Sequence, residues 1–415
     1  MQPAKALLPQ GGFDAERLLA PQQAIAAFFA RFSRPELTVE TVSLVQARDR
    51  ILARDVVADA DYPHATRSAM DGFAIAAKDA PGTLRIAGEV LMGDGSAARL
   101  EPGTAVRIPT GGFVPAGADA VVPIEAVSVE GDRVRIGAAV AAGDCTVPVA
   151  SDMRAGEPVL LAGRRIGAAV AGTLATLGIT EVAVFRRPLF GVVSSGDELV
   201  PPDAVPAPGE IRDSNRFAVA AALQAMGAGV KFAREIVRDE PGAMRAALAE
   251  LLAECDGVVV TGGSSVGERD LTPDAVAELG EPGVIVHGLR VRPGKPTVLG
   301  AVGQKPVIGL PGNPTSALTI VQTVGAPIVA ALTGASAWAP PTVAATLDAP
   351  AESRPGCTWY VPVALKDGGG APLAHPLALR SSSVSLTARA DGYVVMDERD
   401  DAWPAGTAVT VHRFL

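Results

Sequence analysis

Three stretches of this sequence combine small residues, hydroxyls, an amide and carboxylates in the way that an anion and a metal ion require. They are Ser194-Ser195-Gly196-Asp197-Glu198, Thr261-Gly262-Gly263-Ser264-Ser265-Val266-Gly267 and Gly309-Leu310-Pro311-Gly312-Asn313-Pro314-Thr315-Ser316. Glycine lets the backbone approach a ligand closely. Exposed N–H groups beside a helix N-terminus form an anion site. A fourth stretch, Leu289 to Pro296, supplies Arg290, Arg292 and Lys295, and Pro293-Gly294 makes a tight turn that presents Lys295. The chemistry implied is contact with a phosphate or another oxyanion. Carboxylates gather around the same loops: Asp197 and Glu198, Asp239 and Glu240, Glu268 and Asp270. Hard oxygen ligands beside a phosphate-binding edge suit Mg²⁺, which also bridges phosphates. Glu198, Asp239 and Asp270 are therefore the candidate metal ligands. Asp239 or Glu240 also reads as a helix cap, and Asp270 as a turn residue.

These loops need a scaffold, and the segment from about Arg187 to Ala335 supplies one. Leu189 to Val193, Gly257 to Val260 and Pro306 to Gly309 are short apolar runs that read as strands. Between them lie helical stretches: Asn215 to Met226, ended by Gly227; Pro241 to Glu254; and Thr272 onward, ended by Gly280. Pro314 opens a long apolar helix. Strand–helix alternation of this kind predicts a doubly wound parallel sheet. In such sheets ligands sit beyond the carboxyl ends of the strands, which is where the three loops fall.

On either side the pattern changes. Ile25, Phe28, Phe29 and Phe32 lie at i, i+3, i+4 and i+7, so Ala24 to Phe32 reads as an amphipathic packing helix. Thr104 to Ile108, Ala120 to Ile124 and Arg133 to Ile136 alternate with Gly and Pro turns, as in a small β domain. Gly167 to Leu177 returns to helix and stops at Gly178. From about Trp338 to Leu415 short strands resume, and a small β domain or barrel is expected. The fold class is thus α/β plus β, in several domains.

Composition narrows the function classes. Hydrophobic residues make up 48% of the 415 and aromatics only 4%, so the cores must be built mainly of Ala, Val, Leu and Ile. The net charge of −9 argues against a nucleic-acid binder. Three widely spaced cysteines form no disulfide framework or zinc knuckle and point to a reducing compartment. Met1 to Asp14 lacks the charged and apolar regions of a signal peptide. A cytoplasmic protein that neither spans nor binds a membrane is expected. His64, His287, His375 and His412 show no metal-ligand spacing, and neither a Walker loop nor a Rossmann fingerprint is present.

Six stretches carry a family resemblance. Ser68-Ala69-Met70-Asp71-Gly72-Phe73-Ala74, Arg107-Ile108-Pro109-Thr110-Gly111-Gly112 and Ser195-Gly196-Asp197-Glu198-Leu199 come first, followed by the Thr261 loop. Arg292-Pro293-Gly294-Lys295-Pro296 and Leu310-Pro311-Gly312-Asn313-Pro314-Thr315-Ser316-Ala317 complete the set. In this order, from about Ala24 to the C-terminus, the chain resembles the molybdopterin molybdenumtransferases, the MoeA proteins and the gephyrin E-domain.

The resemblance implies four domains. They are a two-segment linker (14–58 and 150–186), an inserted β domain (59–149), a doubly wound α/β molybdopterin-binding domain (187–336) and a C-terminal β-barrel-like domain (337–415). It implies a homodimer whose cleft receives Asp71 and Thr110 from the other subunit. The implied reaction takes adenylyl-molybdopterin and molybdate, releases AMP and leaves molybdenum on the dithiolene, with Mg²⁺. A molybdopterin adenylyltransferase is an implied partner.

Glu198, Asp239 and Asp270 would hold the metal, and with Asp71 and Lys295 form the candidate catalytic set. The substrate would be held by Thr110, Ser195, Gly196, Thr261, Gly262, Gly263, Ser264, Ser265, Gly267 and Arg292. Pro311, Gly312, Asn313, Pro314 and Ser316 form the loop facing molybdate, and Ser385 lies in a later Ser-rich segment. Two other readings remain open: a non-catalytic molybdopterin-binding module, and an adenylyltransferase performing the preceding step.

Overall fold

The computed structural model describes residues 18–93, 99–262, 271–335, 339–378 and 382–414. Their contacts group into two units. One holds residues up to Ala53, Gly163–Ala171 and everything from Glu181 onward; the other holds Arg54–Ala162 and Gly172–Thr180.

The larger unit is built on a six-stranded sheet. Its strands are β1 (Leu189–Ser194), β2 (Gly229–Phe232), β3 (Gly257–Thr261), β4 (Pro282–His287), β5 (Val298–Val302) and β6 (Lys305–Leu310), in the order β2-β1-β3-β6-β5-β4. The first four in that order run parallel, with Phe190 opposite Gly257 and Val258 opposite Val307. Next comes β5, antiparallel to β6 with Val298 opposite Gly309, and then β4, antiparallel to β5 and so running in the same direction as the first four. The expected doubly wound parallel sheet is present in these four strands, and β5 is an antiparallel insertion. The connection from β5 to β6 spans only two residues, Gly303 and Gln304, and a hairpin that short joins antiparallel strands only.

Helices cover both faces. The helices are α1 (Pro21–Arg31), α2 (Asn215–Ala225), α3 (Pro241–Glu254), α4 (Leu271–Leu279) and the long helix α5 (Pro314–Thr333), whose middle turn, Val321–Gly325, is π-helical. Side chains alternate along the strands. Phe190, Val192, Val259 and Ile308 pack with α1, α2 and α5, against Phe28, Leu223 and Ile320. Val193, Val258, Val260 and Val307 pack the other way with α3 and α4, against Leu248 and Val276. Strands covered on both faces read as continuous apolar runs, which is why β3 is Gly-Val-Val-Val-Thr and buried throughout. Most of α5 is buried too, so its bilayer-spanning length and apolarity reflect a core helix.

In α1 the i, i+3, i+4 spacing does its expected work. Phe28 is fully buried and stacks on Phe32 at 4.9 Å between ring centroids. Burying such a ring contributes about 2–3 kcal/mol. The antiparallel pair Val39–Ser43 and Glu181–Phe185 belongs to the same unit. Arg50 clamps it, pairing with the Glu40 carboxylate and donating to the Phe185 carbonyl at 2.8 Å.

Toward the C-terminus a barrel closes. Strands β7 (Thr342–Leu347), β8 (Thr358–Lys366), β9 (Leu373–Pro376), β10 (Gly392–Met396) and β11 (Ala408–Arg413) pair in a ring, β7-β9-β8-β10-β11 and back to β7. Closure leaves no free edge among these five strands. Tyr360 and Tyr393 leave the barrel to join the core beneath α5, and burial pushes the Tyr360 phenol up to about 12.

The smaller unit carries its own six-stranded sheet. The order is Ala120–Pro123, Gly72–Ile75, Thr104–Ile108, Gly82–Glu89, Arg133–Ile136 and Val127–Glu130. Phe73, Ile75, Leu84 and Val134 fill its core. The strands expected at Thr104 and Arg133 occur with the same bounds, and the Ala120 strand ends one residue earlier, at Pro123.

Candidate active site

Beyond the carboxyl ends of β1, β3 and β6 lies a cleft of about 900 Å³. It is lined by Ser195, Gly196 and Glu198 after β1, by Thr261 and Gly262 after β3, and by Pro311, Gly312, Asn313, Pro314 and Ser316 after β6. Asp239 reaches it from the turn before α3. The described residues of the three loops singled out from sequence thus line one cleft, as strand order in an open sheet requires.

Hydrogen bonds fix the carboxylate side of this cleft. The buried Ser195 hydroxyl donates to Asp239 Oδ1 at 2.9 Å, and the Asp239 N–H donates to Asp197 Oδ1 at 3.3 Å. Asp239 therefore does not act as the helix cap: the residue before α3 is Glu240, and no side chain caps that helix. Glu198 is exposed, and its carboxylate folds back over Gly196. On the opposite wall Asn215 Nδ2 donates to the Gly312 carbonyl at 2.7 Å, tying α2 to the turn before α5.

A second cleft of about 720 Å³ contains the cations. Arg290, Arg292 and Lys295 all line it. The two clefts share Pro296, Asn313, Ser316 and Ser382 as a common wall. One cavity system thus has a carboxylate arm and a cation arm. Arg290 is ion-paired with Glu398 at 2.9 Å. Arg292 places its guanidinium carbon 4.7 Å from the centre of the Trp359 ring. Cys357 also lines the cation arm, and burial pushes its thiol up despite nearby Arg292 and Arg290. It enters the arm as a neutral S–H group rather than a nucleophilic thiolate.

Three profiles of known families match the chain. They are described as the MoeA N-terminal region (domain I and II) over residues 19–178, a probable molybdopterin binding domain over 191–331, and the MoeA C-terminal region (domain IV) over 344–414. The molybdopterin molybdenumtransferase of Nostoc sp. is 36% identical over 313 residues, covering 72% of this chain and 71% of that one. Molybdopterin molybdenumtransferase 2 of Mycobacterium tuberculosis is 35% identical, covering 73% and 76%. This chain belongs to the molybdopterin molybdenumtransferase family. A solved molybdopterin biosynthesis MoeA protein from Pyrococcus superposes with a TM-score of 0.75 at 31% identity, covering 96% of this chain and 99% of that one.

Set against the family resemblance, the positions sort as follows. Glu198, Asp239, Ser195, Gly196, Thr261, Gly262 and the Pro311–Ser316 turn share the first cleft, and Lys295 and Arg292 share the second. Asp270, Gly263, Ser264, Ser265 and Gly267 lie outside the described residues. Ser385 stands exposed on the short helix Val384–Arg389 and lines neither cleft; its neighbours Ser382 and Val384 do. One wall escaped the sequence reading altogether. Glu210, Arg212 and Asp213 line the carboxylate arm, in a Pro- and Gly-rich segment that carries no local ligand-binding signal.

Asp71 and Thr110 lie in the smaller unit, where they hold one another. Asp71 Oδ1 accepts from the Thr110 backbone N–H at 2.6 Å and from its hydroxyl at 2.8 Å. These two bonds keep the Asp71 carboxyl below the usual carboxylate range, the backbone bond contributing most. A lowered folded-state pKa contributes stability above the ordinary carboxylate range, and the contribution is lost as pH falls through the folded value. Thr110→Val removes the hydroxyl bond. The Asp71 pKa should then rise toward the ordinary value of 3.8, as followed by the carboxyl-carbon NMR shift against pH; an unmoved titration would show that the hydroxyl is not a determinant.

Proposed function

We propose that this chain inserts molybdenum from molybdate into adenylyl-molybdopterin and releases AMP. One observation carries the reading: a carboxylate arm and a cation arm meet at a common wall formed by the Pro296, Asn313, Ser316 and Ser382 residues. The reaction must hold two anions side by side and break a phosphoanhydride. Lys295 and Arg292 offset the repulsion between the anions. The Thr261–Gly262 and Pro311–Pro314 loops hold the large pterin substrate in place, which converts binding into orientation.

The carboxylate arm fits Mg²⁺ as the metal. Among the described residues no group of three ligating side chains converges, but Mg²⁺ is commonly held by one or two carboxylates, with substrate phosphates and water completing its shell. Glu198 and Asp239 are those two, with Asp270 as the third from outside the described residues. When bound, the ion would polarise the phosphoanhydride as a Lewis acid. The Ser195 hydroxyl donates to Asp239 Oδ1 and so fixes that carboxylate in the arm. The homodimer, with Asp71 and Thr110 of a second copy completing the cleft, belongs to the same proposal. So do an adenylyltransferase that hands over the substrate and a cytoplasmic location.

The test is AMP release from adenylyl-molybdopterin by purified protein, with molybdate and Mg²⁺ each added or withheld. Release that depends on both supports the reading. No release under any of these conditions sinks it.

A further inference from the structure

The carboxylate arm has an apolar side that anion and metal chemistry leave unused. Leu199, Pro206, Ile211 and Val384 line this arm, and none of the four lines the cation arm. Ile211 is 56% exposed and Val384 57% exposed. Single exposed apolar side chains are ordinary on a protein surface. Here four apolar residues line one cleft that also holds hydroxyls, amides and carboxylates. That mixture marks a contact surface for an apolar part of a ligand.

The backbone ties this surface to Glu198. Leu199–Val200 and Ile211–Arg212 form a two-residue parallel ribbon, with Leu199 opposite Ile211. The Ile211 N–H donates to the Glu198 carbonyl at 2.8 Å, and the Asp213 N–H donates to the Val200 carbonyl at 2.9 Å. The intervening turn is stapled as well. Arg212 Nε donates to the Ala204 carbonyl at 3.0 Å, and the Ala207 N–H donates to Glu210 Oε2 at 2.9 Å. Ile211 is therefore one hydrogen bond from the backbone of Glu198. A group resting on it is held in register with whatever the Glu198 carboxylate binds.

Connectivity decides which group that is. In adenylyl-molybdopterin the phosphoanhydride lies between the dithiolene-bearing pterin and the adenosine. On the proposed reaction the dithiolene meets the oxyanion beside the cation arm, and the phosphoanhydride lies at Glu198 and Asp239. The adenosine then extends away from the cation arm, into the part of the carboxylate arm that Leu199, Pro206, Ile211 and Val384 line.

We propose that these four residues form the adenine shelf, the surface on which the purine ring of the substrate rests. Apolar burial drives such a contact, and the preformed ribbon lowers its ordering cost. The inference rests on the proposed function for the identity of the nucleotide.

The experiment measures, by calorimetry with Mg²⁺ present, the binding of AMP, ribose 5-phosphate and molybdate. It compares the wild type with Ile211→Ser, Ile211→Leu and Val384→Ser. The wild type should bind AMP at least about tenfold more tightly than ribose 5-phosphate, which lacks the base. Ile211→Ser should weaken AMP roughly five- to twentyfold, and Val384→Ser should weaken it by a similar or smaller factor. Ile211→Leu keeps the apolar bulk and should bind AMP within about twofold of the wild type. Molybdate affinity should not move in any variant. AMP bound no better than ribose 5-phosphate would overturn the shelf. So would wild-type AMP affinity in both serine variants, or an equal loss of AMP and molybdate, which would mean general damage to the cleft. Ile211-dependent AMP binding by a protein that releases no AMP from adenylyl-molybdopterin would overturn the proposed reaction and leave this inference standing.

Discussion

Glu198→Gln should lower the rate of AMP release on the order of 100-fold, because a carboxylate that holds a Lewis-acid ion against the phosphoanhydride contributes several kcal/mol to the barrier. The amide keeps the shape and loses the charge. Glu198 is exposed and lies at the mouth of the carboxylate arm. Surface changes away from caps and networks shift stability by only about 0.5 kcal/mol, so the thermal unfolding midpoint should stay where it is. Excess Mg²⁺ should recover part of the loss, since a weakened site fills at higher ion concentration. A wild-type rate in the glutamine variant would remove Glu198 from the metal site and leave Asp239 and Asp270 to account for it.

How far this arrangement was legible in the sequence depends on the range of the interaction. The loops after β1, β3 and β6 are local signals. Each joins an apolar run to Gly, Ser or Asn within a few residues, and the strand-end rule then brings them together without any knowledge of packing. Helix ends were equally local: α3 occupies Pro241–Glu254 as expected, and Gly178 and Gly227 turn with φ of 72° and 94° where their helices stop. What stayed hidden depends on partners far apart in the chain. The reversed strand β5 is as apolar and buried as the parallel strands, so its direction is not written in its composition. Asp239 offered two local chemistries, cap or ligand. Glu240 occupies the cap position, and a serine 44 residues away donates to the Asp239 carboxylate. The Arg292 guanidinium lies over the Trp359 ring, a contact that no local pattern announces.

Gly262→Ala should unfold the site from within. Gly262 has φ of +124°, a region that L side chains rarely adopt, and an added Cβ would lie 2.0 Å from the Ser195 carbonyl oxygen. That oxygen is backbone and cannot swing aside. The Ser195 N–H already donates to the Thr261 carbonyl at 2.9 Å, so the ends of β1 and β3 are clamped face to face at this point. A methyl group there must push the two loops apart or twist its own peptide. Strain at such a backbone position costs of order 1–3 kcal/mol, and displacing packed neighbours adds a similar amount, for a total of roughly 3 kcal/mol or more. The displaced residue is Ser195, which holds Asp239, so activity should fall even in the fraction that remains folded. Gly242→Ala provides the contrast. That glycine lies in the first turn of α3 with nothing within 4 Å of a built Cβ, and alanine in a helix is favoured over glycine by roughly 0.5–1 kcal/mol. Urea unfolding of both variants separates close approach from general glycine chemistry. If Gly262→Ala matched the wild type in midpoint and turnover, the β1 and β3 loops would have to sit farther apart than this geometry allows, and the carboxylate arm would lose the backbone clamp that orders it.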